Sequence, residues 1–211
     1  MRRKRLTIIY SSKPLRERAE YDLYPTPMEL CRKTVNTVLP SEFNPGIVLD
    51  PGAGSGVWGK AIKERYTNTS LVGVELQHLT MPEGYALWLS GYDFLDQTID
   101  YGNFDLVIGN PPYSLAEEFL ERSYNMLNPG GWLVFLLRLS FLESHKRFSK
   151  YYQDYTSMKP FSIWVSTRRV SFTGNRKSDN TAYMVGAWRK DWGVYNTNTY
   201  LKWLDWSYDS P

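Results

Sequence analysis

Two stretches of this sequence carry side chains whose types and spacing suit chemistry. The first is GNPPYS, residues 109–114, which closes the apolar run FDLVIGNPPYS. Proline lacks the N–H that a central strand must donate, so a strand over residues 104–108 has to stop here. The residue before each proline is also pushed out of the helical region. Residues 110–113 should therefore leave a sheet as a stiff, extended segment. Stiffness of that kind serves either a plain turn or a place where reacting groups are held. The second stretch is VLDPGAGSG, residues 48–56. Gly52, Gly54 and Gly56 let the backbone turn sharply and let a ligand come close. A glycine turn by itself serves equally well as a tight strand–helix joint. Its surroundings suggest more. Glu75 closes the next apolar run, about where a ribose-binding acid belongs. Asp93 and Phe94 close the third.

The chemistry this suggests is nucleotide binding, but not of the nicotinamide kind. In G-x-G-x-x-G the turn is tuned for a pyrophosphate. Here the third glycine comes one residue early, and Asp50 precedes the first. A carboxylate at that point repels a phosphate and welcomes a positively charged ligand. No G-x-x-x-x-G-K-[ST] occurs, which excludes a P-loop.

Composition narrows the class. A chain of 211 residues suits one domain with a sizeable core. A hydrophobic content of 42% separates it from disordered chains. No apolar stretch reaches the ~20 residues that span a bilayer. The start, MRRKRLTIIYSSK, lacks the features of a signal peptide. Cys31 is the only cysteine, so no internal disulfide can form and a cytoplasmic home fits. With only His78 and His145 beside it, no metal site is expected. The net charge of +3 is unevenly spread, with basic pairs at Arg168–Arg169 and Arg176–Lys177 and a basic start. Such clusters serve as solvated surface or as a phosphate-facing edge.

The elements that must position these residues alternate between strand and helix. Helices are expected over residues 26–39, with Thr26 as cap and Pro27 in the first turn, over 57–65 and over 115–127. Strands are expected at 47–50, 70–76, within 86–95, at 104–108 and at 132–139, with NPGG (128–131) closing the third helix. Continuous apolar strands alternating with helices argue for a parallel sheet covered on both faces. Two further strands, at 161–166 and 181–188, are joined by the polar loop 173–180 and suit an antiparallel pair. The fold expected is α/β and Rossmann-like: seven strands, mostly parallel with one antiparallel, and helices on both faces. Residues 1–20 read as a mobile basic arm, 21–190 as a catalytic domain and 191–211 as an aromatic tail packed on it. In that tail Trp192, Trp203 and Trp206 suit packing or an oligomer contact.

DPGAGSG, VGVEL, GYDFLD and NPPY, in this order, resemble the class I S-adenosylmethionine-dependent methyltransferases. NPPY resembles that of the amino-methylating branch, above all the compact, phage-like DNA adenine-N6 methyltransferases. The resemblance covers residues 21–188. It implies that Asp50, Pro51, Gly52, Ala53, Gly54 and Gly56 hold the methionine part of the cofactor. By the same resemblance Glu75 takes the ribose hydroxyls and Asp93 with Phe94 the adenine. Tyr24, Thr26 and Pro27 of YPTP close the pocket, and Asn110 borders it. In catalysis the Asn110 side-chain carbonyl and the Pro111 backbone carbonyl accept both hydrogens of a flipped adenine's amine, freeing its lone pair. Pro112 helps fix that geometry and Tyr113 stacks on the base. Phe172 is the candidate for the other side of the sandwich. Arg168, Arg169, Arg176 and Lys177 are candidates for DNA phosphates, and Arg138, Lys146, Arg147 and Lys150 lie where a nucleic acid would cross. No separate target-recognition domain finds room. Methylation of adenine or guanine in structured RNA, methylation of a protein glutamine, and a cofactor-free nucleic-acid-binding relic are the competing readings.

Overall fold

The computed structural model describes residues 25–172 and 180–208 of the chain. The arm 1–20, Tyr24, Arg176 and Lys177 lie outside the described residues. Among the described residues eight strands form one sheet in the order β3-β2-β1-β4-β5-β7-β6-β8. They are β1 (Ile47–Pro51), β2 (Ser70–Glu75), β3 (Leu87–Ser90), β4 (Phe104–Gly109), β5 (Leu127–Arg138), β6 (Ser162–Ser166), β7 (Tyr183–Arg189) and β8 (Tyr200–Leu204). Only β7 runs antiparallel to its neighbours, β5 and β6. The eighth strand exceeds the expected seven. It comes from the aromatic tail, which pairs in parallel with β6 from Ser162↔Tyr200 to Ser166↔Leu204.

The alternation of side chains explains the layers. In β4, Leu106 and Ile108 point to one face and Val107 to the other, with Phe104 brought to Val107's face by an irregularity before Leu106; in β5, Trp132, Val134 and Leu136 oppose Leu133, Phe135 and Leu137. Both faces are apolar, so both must be covered. Helices α1 (Met28–Val38) and α2 (Val57–Arg65) cover the first face through Leu30, Val35, Trp58 and Ile62. Helix α3 (Ala116–Asn125) covers the second through Phe119, Leu120 and Tyr124. Among the described residues no helix is long and apolar enough to cross a membrane.

Three boundaries differ from expectation. NPGG does not close the third helix, which ends at Asn125; it lies within β5, where the pairing with β4 jumps from Phe104↔Leu127 to Leu106↔Trp132. Thr26 does not cap α1: Pro27 holds the cap position without any side-chain cap bond. Tyr113 opens a 3-10 turn, Tyr113–Leu115, so the stiff exit from β4 is one residue shorter.

The order of strands makes the cleft. The chain moves outward from β1 to β3, then returns to place β4 on the other side of β1. That reversal opens a crevice at the carboxyl ends of β1 and β4, where ligands bind in sheets of this type. The glycine turn follows β1, and Asn110–Tyr113 follows β4.

Candidate active site

The glycine turn is knitted to β2. The backbone N–H of Gly52 and that of Ala53 both donate to the Val74 carbonyl, at 2.8 and 3.1 Å. Pro51 is paired with Val74 at the strand end. Gly52, Gly54 and Gly56 have φ of 68°, 54° and 78°, a region that side chains rarely allow. Glu75, buried at the end of β2, accepts from the Gly54 N–H through Oε2 at 2.8 Å and from the Gln77 N–H through Oε1 at 2.9 Å. Its backbone carbonyl in turn accepts from Gly91 and Tyr92 at 2.8 and 3.1 Å. One acid thus ties together the turns after β1, β2 and β3.

Asp50 is fully buried. Its Oδ2 accepts a hydrogen bond from the Tyr85 hydroxyl at 2.6 Å. Its Oδ1 has no partner among the described residues. Burial, reinforced by the nearby Glu75 charge, pushes the carboxyl up to about 7 despite the Tyr85 bond. A buried carboxylate with a vacant lone pair is costly until a cation or donor reaches it. The Asp50 site is therefore prepared for a positively charged or hydrogen-bonding group, and it disfavours a phosphate.

Tyr85 was not foreseen. Its placement depends on Gly59, inside α2, where a Cβ would lie 2.4 Å from the Tyr85 hydroxyl. A helix-interior glycine costs roughly 0.5–1 kcal/mol against alanine, so it signals close approach. That was the available clue, although it does not name the approaching group.

On the β4 side, Gly109 lies against Asp50: a Cβ there would be 3.2 Å from Oδ1. Asn110 is thus one residue from the buried acid. Its Nδ2 donates to the Thr26 hydroxyl at 3.2 Å. This is what Thr26 does instead of capping the helix, and it brings α1's entry, with Pro27, to the cleft. Pro111 is buried, and the Pro112 carbonyl accepts from the Leu115 N–H at 2.9 Å, so the segment is anchored at its far end.

Tyr113 lies in an aromatic group. Its ring centroid is 5.6 Å from that of Tyr183 and 6.5 Å from that of Phe172. The Arg138 guanidinium stands over the ring at 4.9 Å. Burial raises the Tyr113 hydroxyl well above the ordinary tyrosine range, so it stays protonated. Phe172 does not end β6; it lies beyond it, buried edge-on against Tyr183 at 5.2 Å.

Asp93 and Phe94 lie past the end of β3, not on it. Asp93 Oδ1 accepts from the Leu95 N–H at 2.9 Å. The Phe94 ring is buried against Phe119 and Tyr101, at 4.9 and 5.9 Å, so the ring is core. Of the basic residues, Arg168 and Arg169 are exposed, and Arg169 donates to the Asn180 carbonyl. Lys146 pairs with Glu117 at 3.4 Å, Lys150 with Glu117 and Glu121, and Arg147 donates to the Phe141 carbonyl at 2.6 Å. These three are committed to α3 and the turn after β5. Arg138 of that group stands over Tyr113, and Arg147 lines the same cavity.

A cavity of about 280 Å³ opens here, lined by Tyr113, Ser114, Leu137, Arg138, Phe141 and Arg147. A second of about 660 Å³ lies between the loop before β4 and α3, near Tyr101 and Arg122, away from both motifs. Among the described residues no group of three or more His, Cys, Asp or Glu is placed to hold a metal ion.

No protein-family model matches the chain. It is similar to the ribosomal RNA small subunit methyltransferase C of Haemophilus influenzae strain PittGG, 28% identical over 161 residues, 70% of this chain and 46% of that protein. It is also similar to a type II methyltransferase of a Paramecium bursaria Chlorella virus, 31% identical over 101 residues, 46% of this chain and 26% of the relative. The chain spans less than half the length of these relatives. In structure it resembles a protein described as a class I S-adenosylmethionine-dependent methyltransferase from Listeria monocytogenes, with a TM-score of 0.62 and 16% identity over 85% of this chain and 65% of that one. A predicted O-methyltransferase from Agrobacterium tumefaciens superposes with a TM-score of 0.56 and 18% identity over 85% of each chain. The chain has the class I methyltransferase fold.

Proposed function

We propose that this chain binds S-adenosylmethionine and transfers its methyl group to the exocyclic amine of a nucleobase, with the N6 amine of adenine in DNA as the substrate. The observation that carries the reading is the juxtaposition at the strand reversal: Asn110 of NPPY stands one residue from the buried acid that follows β1. The residues fit the cofactor. Asp50 has a buried oxygen without a partner among the described residues, the glycine turn holds three positive-φ positions, and Glu75 has lone pairs left for hydroxyls. When bound, the cofactor supplies a methyl group activated by a sulfonium.

The chain's own residues do the rest. Thr26 holds the Asn110 amide through Nδ2, which turns its carbonyl to the other side. That carbonyl and the Pro111 carbonyl accept the two hydrogens of the amine. Amine nitrogen conjugated with a purine ring is a poor nucleophile. Gripping both hydrogens favours a tetrahedral nitrogen and aims its lone pair, so the gain comes from alignment and from contacts made best in the transition state. No strong general base is needed. The ring of Tyr113 supplies the stacking face for a base taken out of its helix. Arg168 and Arg169, with Arg176 and Lys177, are assigned to the nucleic-acid backbone.

The curated relatives favour a second reading, an amine of ribosomal RNA, because the Haemophilus influenzae protein is named for that substrate. One experiment separates the two. The protein is incubated with labelled S-adenosylmethionine and, in turn, DNA, ribosomal RNA and a peptide release factor, and the products are digested for mass spectrometry. N6-methyladenine in DNA supports the first reading and a methylated ribonucleoside the second. Label on a glutamine, or none on any substrate, overturns both.

A further inference from the structure

Arg138 ends β5, where its backbone pairs with Tyr183, and among the described residues its exposed side chain makes no hydrogen bond or ion pair. Its guanidinium stands over the face of Tyr113, at 4.9 Å. The neighbouring cations are all engaged: Arg147 with backbone carbonyls, Lys146 and Lys150 with acids of α3. A planar guanidinium on an aromatic face occupies the same place as a stacked base. The cavity that both residues line, about 280 Å³, lies just below the ~300–1,000 Å³ typical of ligand pockets.

We propose that Arg138 is a stand-in for the target base. Without nucleic acid it covers Tyr113; an arriving base displaces it, and the freed guanidinium pairs with a phosphate of the same strand. The arrangement keeps an aromatic face from standing bare. It also makes entry of a base without a phosphate unfavourable relative to entry of a nucleotide within a strand, because only the strand offers Arg138 a new partner. Arg138 would thus select polynucleotide over free nucleoside. The proposal rests on the reading of Tyr113 as the base-stacking residue.

The test uses two probes with the full chain: 2-aminopurine riboside, which has no phosphate, and a short single-stranded oligonucleotide carrying one 2-aminopurine. Quenching of the probe reports stacking. Arg138→Ala should bind the riboside about two- to fivefold more tightly, the factor that an exposed cation–π contact represents. The same variant should bind the oligonucleotide more weakly, with a slope of log affinity against log salt shallower by ~0.7. Arg138→Lys keeps the charge without the planar face, so it should restore most of the salt slope but not the covering of Tyr113. If Arg138→Ala binds the riboside no better than wild type, Arg138 is not a stand-in. If Tyr113→Ala quenches both probes as wild type does, the base-stacking reading of Tyr113 is wrong, and the proposal falls with it.

Discussion

The carboxyl ends of β1 and β4 are neighbours in the sheet, but they are built from different interactions. At β1 the groups are acids and backbone amides, held by hydrogen bonds: Gly52 and Ala53 to Val74, Gly54 to Glu75, Tyr85 to Asp50. At β4 and β5 the groups are mainly rings packed on one another, Tyr113 against Tyr183 and Phe172 with Arg138 above, alongside polar contacts of the Tyr113 hydroxyl. Hydrogen bonds at fixed backbone positions give a site of one shape, suited to a ligand that is always the same. Ring contacts and a cation on a long stem give a site that can open, suited to a base that must be inserted. Asn110, bonded to Thr26, stands at the joint between the two.

The largest effect should come at that joint. Asn110→Ala is expected to slow single-turnover methyl transfer by about 10²–10³, by analogy with the loss of one preorganised polar group elsewhere. Cofactor affinity should hardly change. Wild-type rates in the variant would reduce NPPY to a stiff turn and erase the contrast.

On the β1 side, Glu75→Ala should weaken S-adenosylmethionine binding by roughly 1–3 kcal/mol, because hydroxyl contacts are lost and the Gly54 N–H is orphaned. Calorimetry reads this directly. Unchanged affinity would mean the cofactor does not lie against β2.

Asp50 gives a pH test of the same half. Its carboxyl is raised to about 7 from an ordinary 3.8. The folded chain therefore keeps a proton that the unfolded chain releases. The stability this group contributes is whole below about pH 4 and is lost as pH rises toward 7. Asp50→Asn has no charge to bury. Its stability relative to wild type should rise by about 1 kcal/mol per pH unit between pH 5 and 7, then level off. Thermal melts across that range measure it. A flat difference would show that Asp50 is not desolvated in the ligand-free chain. Saturating cofactor should flatten the wild-type profile as well, because a cation near Oδ1 lowers the carboxyl again.

The smallest effect is expected from Thr26→Val. It removes one hydrogen bond, worth roughly 0.5–1.5 kcal/mol, from an amide that keeps its other contacts. Methyl transfer should slow a few-fold, with cofactor affinity preserved. A loss as great as that of Asn110→Ala would show that Thr26 acts on the reacting atoms itself.

Much of this was written locally. Strand ends at the prolines, tight turns at glycine, and the two-faced apolar pattern of β4 and β5 follow from backbone sterics and side-chain period. The helix over residues 57–65 and the four strands that precede α3 fell where the pattern put them, within a residue or two at their ends. Even the order of the two motifs around the cleft follows from alternation of strand and helix.

What the sequence could not determine is which distant side chains meet. Tyr85 reaches Asp50 across 35 positions, and no periodicity links them; only packing of β3's entry on Gly59 does. Lys146 and Lys150 read as free cations until α3 brings Glu117 and Glu121 beside them. Arg138 reads as one more basic residue until β5 and the turn after β4 place it over Tyr113. The tail reads as an aromatic segment packed on the domain and not as a strand, because an edge strand's register is set by its partner, β6, and not by its own residues. Local conformation depends on neighbours along the chain, which the sequence states. Long-range pairing depends on strand order and register, which emerge only when both faces of the sheet are covered at once.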